Sequence, residues 1–236
     1  MVVQDRFRHY QRDQREVFDQ MIAEDWEVYF NPLGLCLKKF EVDRLLAWTH
    51  PTAILNIGCG YGFQDAEMAK RSFVQQVDAI DYSSASVAKA NEMFSGPKIH
   101  REVADFLTAE PTPKYDCVVS FQVIEHLEDP ETFLRRCAEW CKPGGIVAAY
   151  TVNFMRPYNR IQIKYGKPPI VEDPMHKMEF TREQLRELGI KAGLLPQRIF
   201  AYLSAPYRRP YGLRIWLGYW FPSQGERLGA FYQKPG

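Results

Sequence analysis

Residues 52–62 read TAILNIGCGYG. A short apolar run ends abruptly in glycines. A strand covered on both faces reads as such a continuous run, whereas a half-exposed strand alternates. Gly58, Gly60 and Gly62 then form a loop that turns tightly, lets backbone approach a ligand, and opens onto a helix expected over about 63–71. Alone, glycines after a strand only permit a turn. The next segment adds weight: VQQVDAIDYS holds a second strand ending at Asp81, about twenty residues on, where an acid can hold ribose hydroxyls.

The pattern continues outward. SSASVAKANEMF predicts a helix, REVADF a third strand ending at Asp105, and YDCVVSFQ a fourth strand. DPETFLRRCAEWCKPGG predicts a helix with Asp129 as N-cap, Pro130 at its first position and Gly144–Gly145 as its stop. IVAAYTVN is the fifth strand. Five strand–helix alternations define an α/β, doubly wound, Rossmann-like sheet with helices on both faces, which binds ligands at its carboxyl edge. TREQLRELGIKAGL predicts a further helix with a Thr181–Gln184 capping box, LPQRIFAYLS a sixth strand and ERLGAFYQK a last one. On the N-terminal side, helices are expected over 5–23 and 36–48, with NPLG (31–34) as a break. These give a helical cap at 1–50 and a main domain at 51–236. The latter carries a substrate-side insertion at 154–180, longer than an ordinary connection.

Hydrophobic residues make up 46% of the 236 and charged residues 25%, enough to bury a core. A net charge of +1 argues against a dedicated nucleic-acid binder. The start, MVVQDRFRHYQRDQ, is too charged for a signal peptide, and no window approaches the ~18 apolar residues of a membrane span. Five cysteines, an odd number, read as reduced thiols of a cytoplasmic protein. Cys137 and Cys141 lie one helical turn apart, with no second pair at zinc-site spacing.

FQVIEHLEDP (121–130) places Glu125 and His126 side by side, with the Gln122 amide one turn earlier. Three readings stand for this cluster: a metal site, a proton-transfer site, or a brace for the loop.

The span 54–153 resembles the class I S-adenosylmethionine-dependent methyltransferases. ILNIGCGYG, AIDYS, VADF, YDCVVSFQVIEHLEDP and WCKPGG occur in the order and spacing of that family. The resemblance implies a seven-stranded sheet, mostly parallel with its last strand antiparallel, and S-adenosylmethionine as cofactor. It implies that Gly58, Gly60 and Gly62, with Cys59, line the methionine part. Asp81, beside Tyr82, would hold the ribose, and Asp105 with Phe106 the adenine. Phe121 and Gln122 would lie under the methyl group. Asn56 stands where the family commonly has an acid, and still offers hydrogen bonds. The stretch is also similar to E-x-x-E-H segments of small-RNA 2′-O- and ubiquinone-pathway O-methyltransferases, which bind a divalent cation. That likeness implies catalytic or metal roles for Glu125, His126 and His176, the last lying in HKMEFTREQ. Gln122 replaces the first acid; as a fourth ligand it brings no charge, which weakens a site for Mg²⁺.

Methyl transfer is an in-line displacement, and a hydroxyl acceptor needs its proton weakened by a base or a metal. The reading is an O-methyltransferase for a saccharide or other polar small molecule, with Mg²⁺ or another divalent cation as a candidate cofactor. RNA 3′ ends, quinone-type phenols, amines and an inactive binding module are the alternatives. Aromatics such as Phe154, Tyr158 and Tyr165, with Arg156, Arg160, Lys164 and Lys167, suit a polar or anionic acceptor. RIWLGYWF (214–221) is expected to pack under the sheet, a lipid surface or a second subunit being the alternatives, and a homodimer is open.

Overall fold

The structure is a computed structural model that describes residues 16, 19, 20, 30–111, 114–203, 213, 215, 220, 221 and 225–236. Of the helix expected over 5–23, Glu16, Asp19 and Gln20 are described and are helical; the remainder lies outside the described residues.

Helix α1 runs from Pro32 to Thr49. NPLG is its start, not a break before a helix at 36. The Asn31 side chain accepts from Gly34 N at 2.8 Å, and Pro32 takes the first turn, where its missing N–H costs nothing. Strand β1 (Ala53–Ile57) leads into α2 (Phe63–Ala69), β2 (Gln76–Asp81), α3 (Ser84–Met93), β3 (Ile99–Val103) and β4 (Tyr115–Phe121). A single 3₁₀ turn, Ile124–His126, precedes α4 (Pro130–Trp140) and β5 (Cys141–Val152). Then come α5 (Pro157–Lys164), α6 (Arg182–Lys191), β6 (Leu195–Tyr202) and β7 (Arg227–Gln233).

The seven strands lie in the order β3-β2-β1-β4-β5-β7-β6, with β7 antiparallel to both β5 and β6. Alternate residues feed two cores, as the two-residue period of a strand requires. Leu55, Ile57, Val118 and Val147 face α4 and α6, with Phe133, Leu134 and Leu185. Ile54, Val119, Ala148 and Tyr150 face the other way, with Phe40, Val42, Leu45 and Leu46 of α1. The helical segment expected as a cap therefore shares the core of the sheet. Of RIWLGYWF, Ile215 is buried in that second core, Trp220 and Phe221 are exposed, and the rest lies outside the described residues.

Two boundaries differ from expectation. Helix α4 stops at Trp140, with Asp129 capping it as predicted, and Cys141 already pairs with Tyr115 of β4. Gly144 (φ +75°) and Gly145 serve the strand instead: a Cβ on Gly145 would sit 2.9 Å from the Asp116 carbonyl oxygen. Strand β3 ends at Val103, and Asp105 begins a turn, its Oδ1 accepting from Leu107 N at 3.0 Å. The Thr181–Gln184 capping box is present.

Glu41 of α1 is buried at 2% exposure. Its carboxylate accepts from Tyr202 Oη (2.6 Å) and Gln64 Nε2 (3.1 Å). Burial pushes this carboxyl up to about 7. The folded state therefore holds a proton that the unfolded chain loses near pH 4.5, so stability falls as pH rises from there to about 7. Each pH step of one between those two values is worth about 1.36 kcal/mol, which makes the loss roughly 3 kcal/mol. Glu41→Gln should flatten the dependence of Tm on pH between 5 and 8. An unchanged slope in thermal melts would remove Glu41 as its source.

Candidate active site

The parallel strands β1, β2, β4 and β5 end along one edge, and the site is built there. Gly58 has φ +74°, its N–H donates to Ile80 O at 2.7 Å, and a Cβ would stand 2.4 Å from Val123 Cγ2. Gly60 has open space where its side chain would be, so this turn of backbone faces the cleft. Its N–H donates to Asp81 Oδ2 at 2.9 Å, while Asp81 Oδ1 accepts from Ser83 N at 2.9 Å. Burial raises the Asp81 carboxyl above its usual range, against these bonds. Ser83 Oγ in turn donates to Asp19.

Beneath the loop lies a support that the sequence did not announce. Asn56 Nδ2 donates to Asp65 Oδ1 at 2.6 Å, and Asp65 Oδ2 accepts from Arg101 Nε at 2.8 Å. The Arg101 and Asp65 side chains are wholly buried. Arg101 also donates to the Gly62, Ala90 and Phe94 carbonyls. One signal was present: Arg101 shares a strand face with Ile99 and Val103, and a charge at an apolar alternate position implies a buried partner. Asn56 is thus a prop under the loop. Cys59 packs its thiol between Ala79 and Val87, leaving only backbone for a ligand. Tyr82 is half-buried and Asp105 exposed at the same edge. The Phe106 ring turns into the core against Phe133 and Trp140, away from the place expected for it.

Phe121 stacks on Tyr150 with ring centroids 5.0 Å apart. Gln122 follows with φ +58°, a left-handed conformation unusual for a residue with a side chain. Its Oε1 accepts from Arg227 Nη1 at 2.8 Å, and Arg227 Nη2 donates to Glu172 Oε1 at 2.7 Å. The oxygen considered as a fourth metal ligand is therefore engaged elsewhere.

The other three candidates converge. Lys177 N and Met178 N donate to Glu125 O at 2.8 and 3.2 Å, which docks the 154–180 strap onto the 3₁₀ turn. His176 is carried in with it, and its ring meets that of His126 edge-on at 4.9 Å. The ligand atoms of Glu125, His126 and His176 all lie within 4.8 Å of one another. Glu125 is fully buried; Oε2 accepts from Thr151 Oγ1 at 2.9 Å, and Oε1 is buried with no hydrogen-bond partner among the described residues. Burial raises the Glu125 carboxyl, and burial with the neighbouring His176 pulls His126 down to about 4. His126 is thus neutral at neutral pH, with Nδ1 3.3 Å from Met175 O. His176 Nδ1 lies 3.2 Å from Glu179 Oε1, whose other oxygen accepts from Arg156 Nη1 at 2.5 Å. Despite its burial, bonds from His176 and Arg156 hold the Glu179 carboxyl below its usual range.

This set fits a divalent cation on chemical grounds: one orphaned buried carboxylate oxygen and two imidazoles. Two nitrogens and one oxygen suit a borderline ion such as Zn²⁺ better than Mg²⁺, which prefers oxygen throughout.

A doubly wound sheet, a glycine loop opening onto a helix, and an acid at the end of the second strand define a nucleotide-binding α/β enzyme. Residues 55–149 match the methyltransferase domain family. A ubiquinone biosynthesis O-methyltransferase of Caulobacter vibrioides is 39% identical over 155 residues, covering 58% of this chain and 61% of that protein. One from Nitrosospira multiformis is 36% identical over 169 residues, covering 68% and 70%. The N-methyltransferase NodS of Bradyrhizobium japonicum, solved with S-adenosyl-L-homocysteine, superposes with a TM-score of 0.64 at 15% identity, covering 95% of this chain and 100% of that one. The chain belongs to the class I S-adenosylmethionine-dependent methyltransferase family.

Proposed function

We propose that this protein transfers the methyl group of S-adenosylmethionine to a hydroxyl oxygen of a polar small molecule. The observation that carries this reading is the meeting of Glu125, His126 and His176 at the carboxyl edge, with Glu125 Oε1 buried and unpartnered. The C–S bond of the sulfonium breaks as the O–CH₃ bond forms, and the hydroxyl proton must leave. Gly58 and Gly60 would hold the methionine end, and Asp81 the ribose. Glu125, His126 and His176 would hold a divalent cation, whose chemistry is to lower the pKa of a nearby hydroxyl. Gln122 would have to release Arg227 to join them, so three ligands are proposed.

The names of the Caulobacter and Nitrosospira relatives, ubiquinone biosynthesis O-methyltransferases, favour a quinone-type phenol over a saccharide as acceptor. A second reading needs no cation: His176 Nε2 takes the proton while Glu179 holds Nδ1, the pairing seen at 3.2 Å. No helix of the described residues is long and apolar enough to cross a membrane. Free thiols at all five cysteines suit the proposed cytoplasmic setting.

The test is a thermal melt with saturating S-adenosylhomocysteine, repeated with millimolar Mg²⁺ or Mn²⁺, or micromolar Zn²⁺, followed by catechols and monosaccharides as acceptors. A ligand specific for the native state raises Tm by mass action. We expect a shift from S-adenosylhomocysteine and a further one from Mn²⁺ or Zn²⁺ that chelator reverses. Absence of the first shift sinks the methyltransferase reading. Absence of only the second leaves the His176 base.

A further inference from the structure

We propose that Glu179 is a positioning residue that selects the tautomer of His176, with Arg156 locking Glu179 in place, so that Nδ1–H is spent on the carboxylate and Nε2 is the nitrogen left for chemistry with Glu125 and His126. The inference deepens the proposed function, since it concerns the same site. It holds whether Nε2 ligates a cation or takes a proton.

The geometry leaves Glu179 little else to do. Its side chain is 2% exposed and Arg156's is 10%. Oε1 accepts from Glu172 N at 2.6 Å and faces His176 Nδ1, while Oε2 accepts from Arg156 Nη1. Arg156 is itself fixed by the carbonyls of Asn153 (3.3 Å) and Ile170. A buried ion pair is a poor source of net stability, because desolvation offsets the attraction. The strap also has its own clamp. Asn159, fully buried, bonds Phe154 O and Ile170 O at 3.0 and 3.1 Å and accepts from Ile170 N at 3.0 Å. Holding the strap shut does not account for a second polar device. What the pair adds is an ionised acceptor aimed at one imidazole nitrogen. A nitrogen that donates its proton to a carboxylate can neither ligate nor accept, so the other nitrogen is left to act.

Glu179→Gln turns this into a sharp test. With its oxygen kept on the charged Arg156 donor, the Gln amide nitrogen takes the place of Oε1, gives up the Glu172 N–H and faces His176. Nδ1 then has to accept, and the proton moves to Nε2. Long-range ¹H–¹⁵N NMR of histidine-labelled full-length protein reads the tautomer directly, without cation or acceptor. We expect Nδ1–H in the wild type, Nε2–H in Glu179→Gln, and Nδ1–H again in the charge-retaining Glu179→Asp. In parallel, visible spectra of Co²⁺ titrations should show affinity falling about 10–100-fold in Glu179→Gln. S-adenosylhomocysteine affinity should stay within about twofold, reporting an intact fold. A wild-type His176 protonated at Nε2, or a Glu179→Gln protein that keeps Nδ1–H, overturns the proposal. Failure of the wild type to bind Co²⁺ would count against the cation alone, leaving the tautomer result to decide the role of Glu179.

Discussion

Arg101→Ala is expected to destabilise the protein by roughly 3–5 kcal/mol, the range for breaking a buried ion pair by removing one partner. For a chain of this size that corresponds to a fall in Tm of about 6–20 °C. The cause is specific. Asp65 would be left as a wholly buried carboxylate, its remaining partner the Asn56 amide. The carbonyls of Gly62, Ala90 and Phe94 would each lose the guanidinium as a donor, the first two keeping the Ala66 and Phe94 N–H groups. Because Gly62 ends the glycine loop, S-adenosylhomocysteine affinity should weaken as well, by about tenfold or more if one charge-assisted bond is lost. Replacing both partners, as in Asp65→Leu with Arg101→Met, should be less damaging than the single change, since no charge is stranded. Calorimetric melts of the two variants decide this. A single variant as stable as the double one would mean that the pair is solvated in the native state.

His126→Ala should lower kcat by about 100-fold or more, the lower limit for loss of a group that handles a proton or activates a hydroxyl. S-adenosylhomocysteine affinity should stay within about twofold of wild type. The separation follows from position. His126 sits on the 3₁₀ turn after β4 with its ring against His176, whereas the proposed cofactor contacts are the glycine loop and Asp81. His176→Ala should behave alike in kcat. Loss of cofactor binding in His126→Ala would return the residue to a bracing role.

Much of this was legible locally. The glycine loop and the Asp129 and Thr181 caps rest on neighbours within four residues, and all are present; the strand–helix alternation holds too, except that β3 leads to β4 with no helix among the described residues. Local signals also misled. NPLG breaks any preceding element, yet the same Asn and Pro begin the next. Glycines 144 and 145 looked like a helix stop, but Gly144 supplies a left-handed backbone turn and Gly145 a close approach to β4. Phe106 follows Asp105, the acid expected beside the adenine, but its ring is core, because a turn after β3 rotates it inward. The long-range pairs were not legible from the residues alone. Arg101–Asp65 and Arg156–Glu179 are 36 and 23 positions apart; the alternate strand position of Arg101 hints at a buried partner without naming it, and nothing local marks Arg156. His176 was placed by family likeness, and the reason for its arrival, the docking of Lys177 and Met178 on the Glu125 carbonyl, became visible only in three dimensions.

The strand order also has a meaning in time. A chain made from its N-terminus lays down β1 to β5 as a growing parallel sheet, but β6 lies beyond β7 and pairs only with it. Until β7 slots in between, β6 has no strand to join, and Gln122 lacks the guanidinium that steadies its amide. Pairings of such long sequence separation form slowly. The glycine loop can therefore be shaped early in synthesis, while the Gln122 end of the edge waits for the final strand.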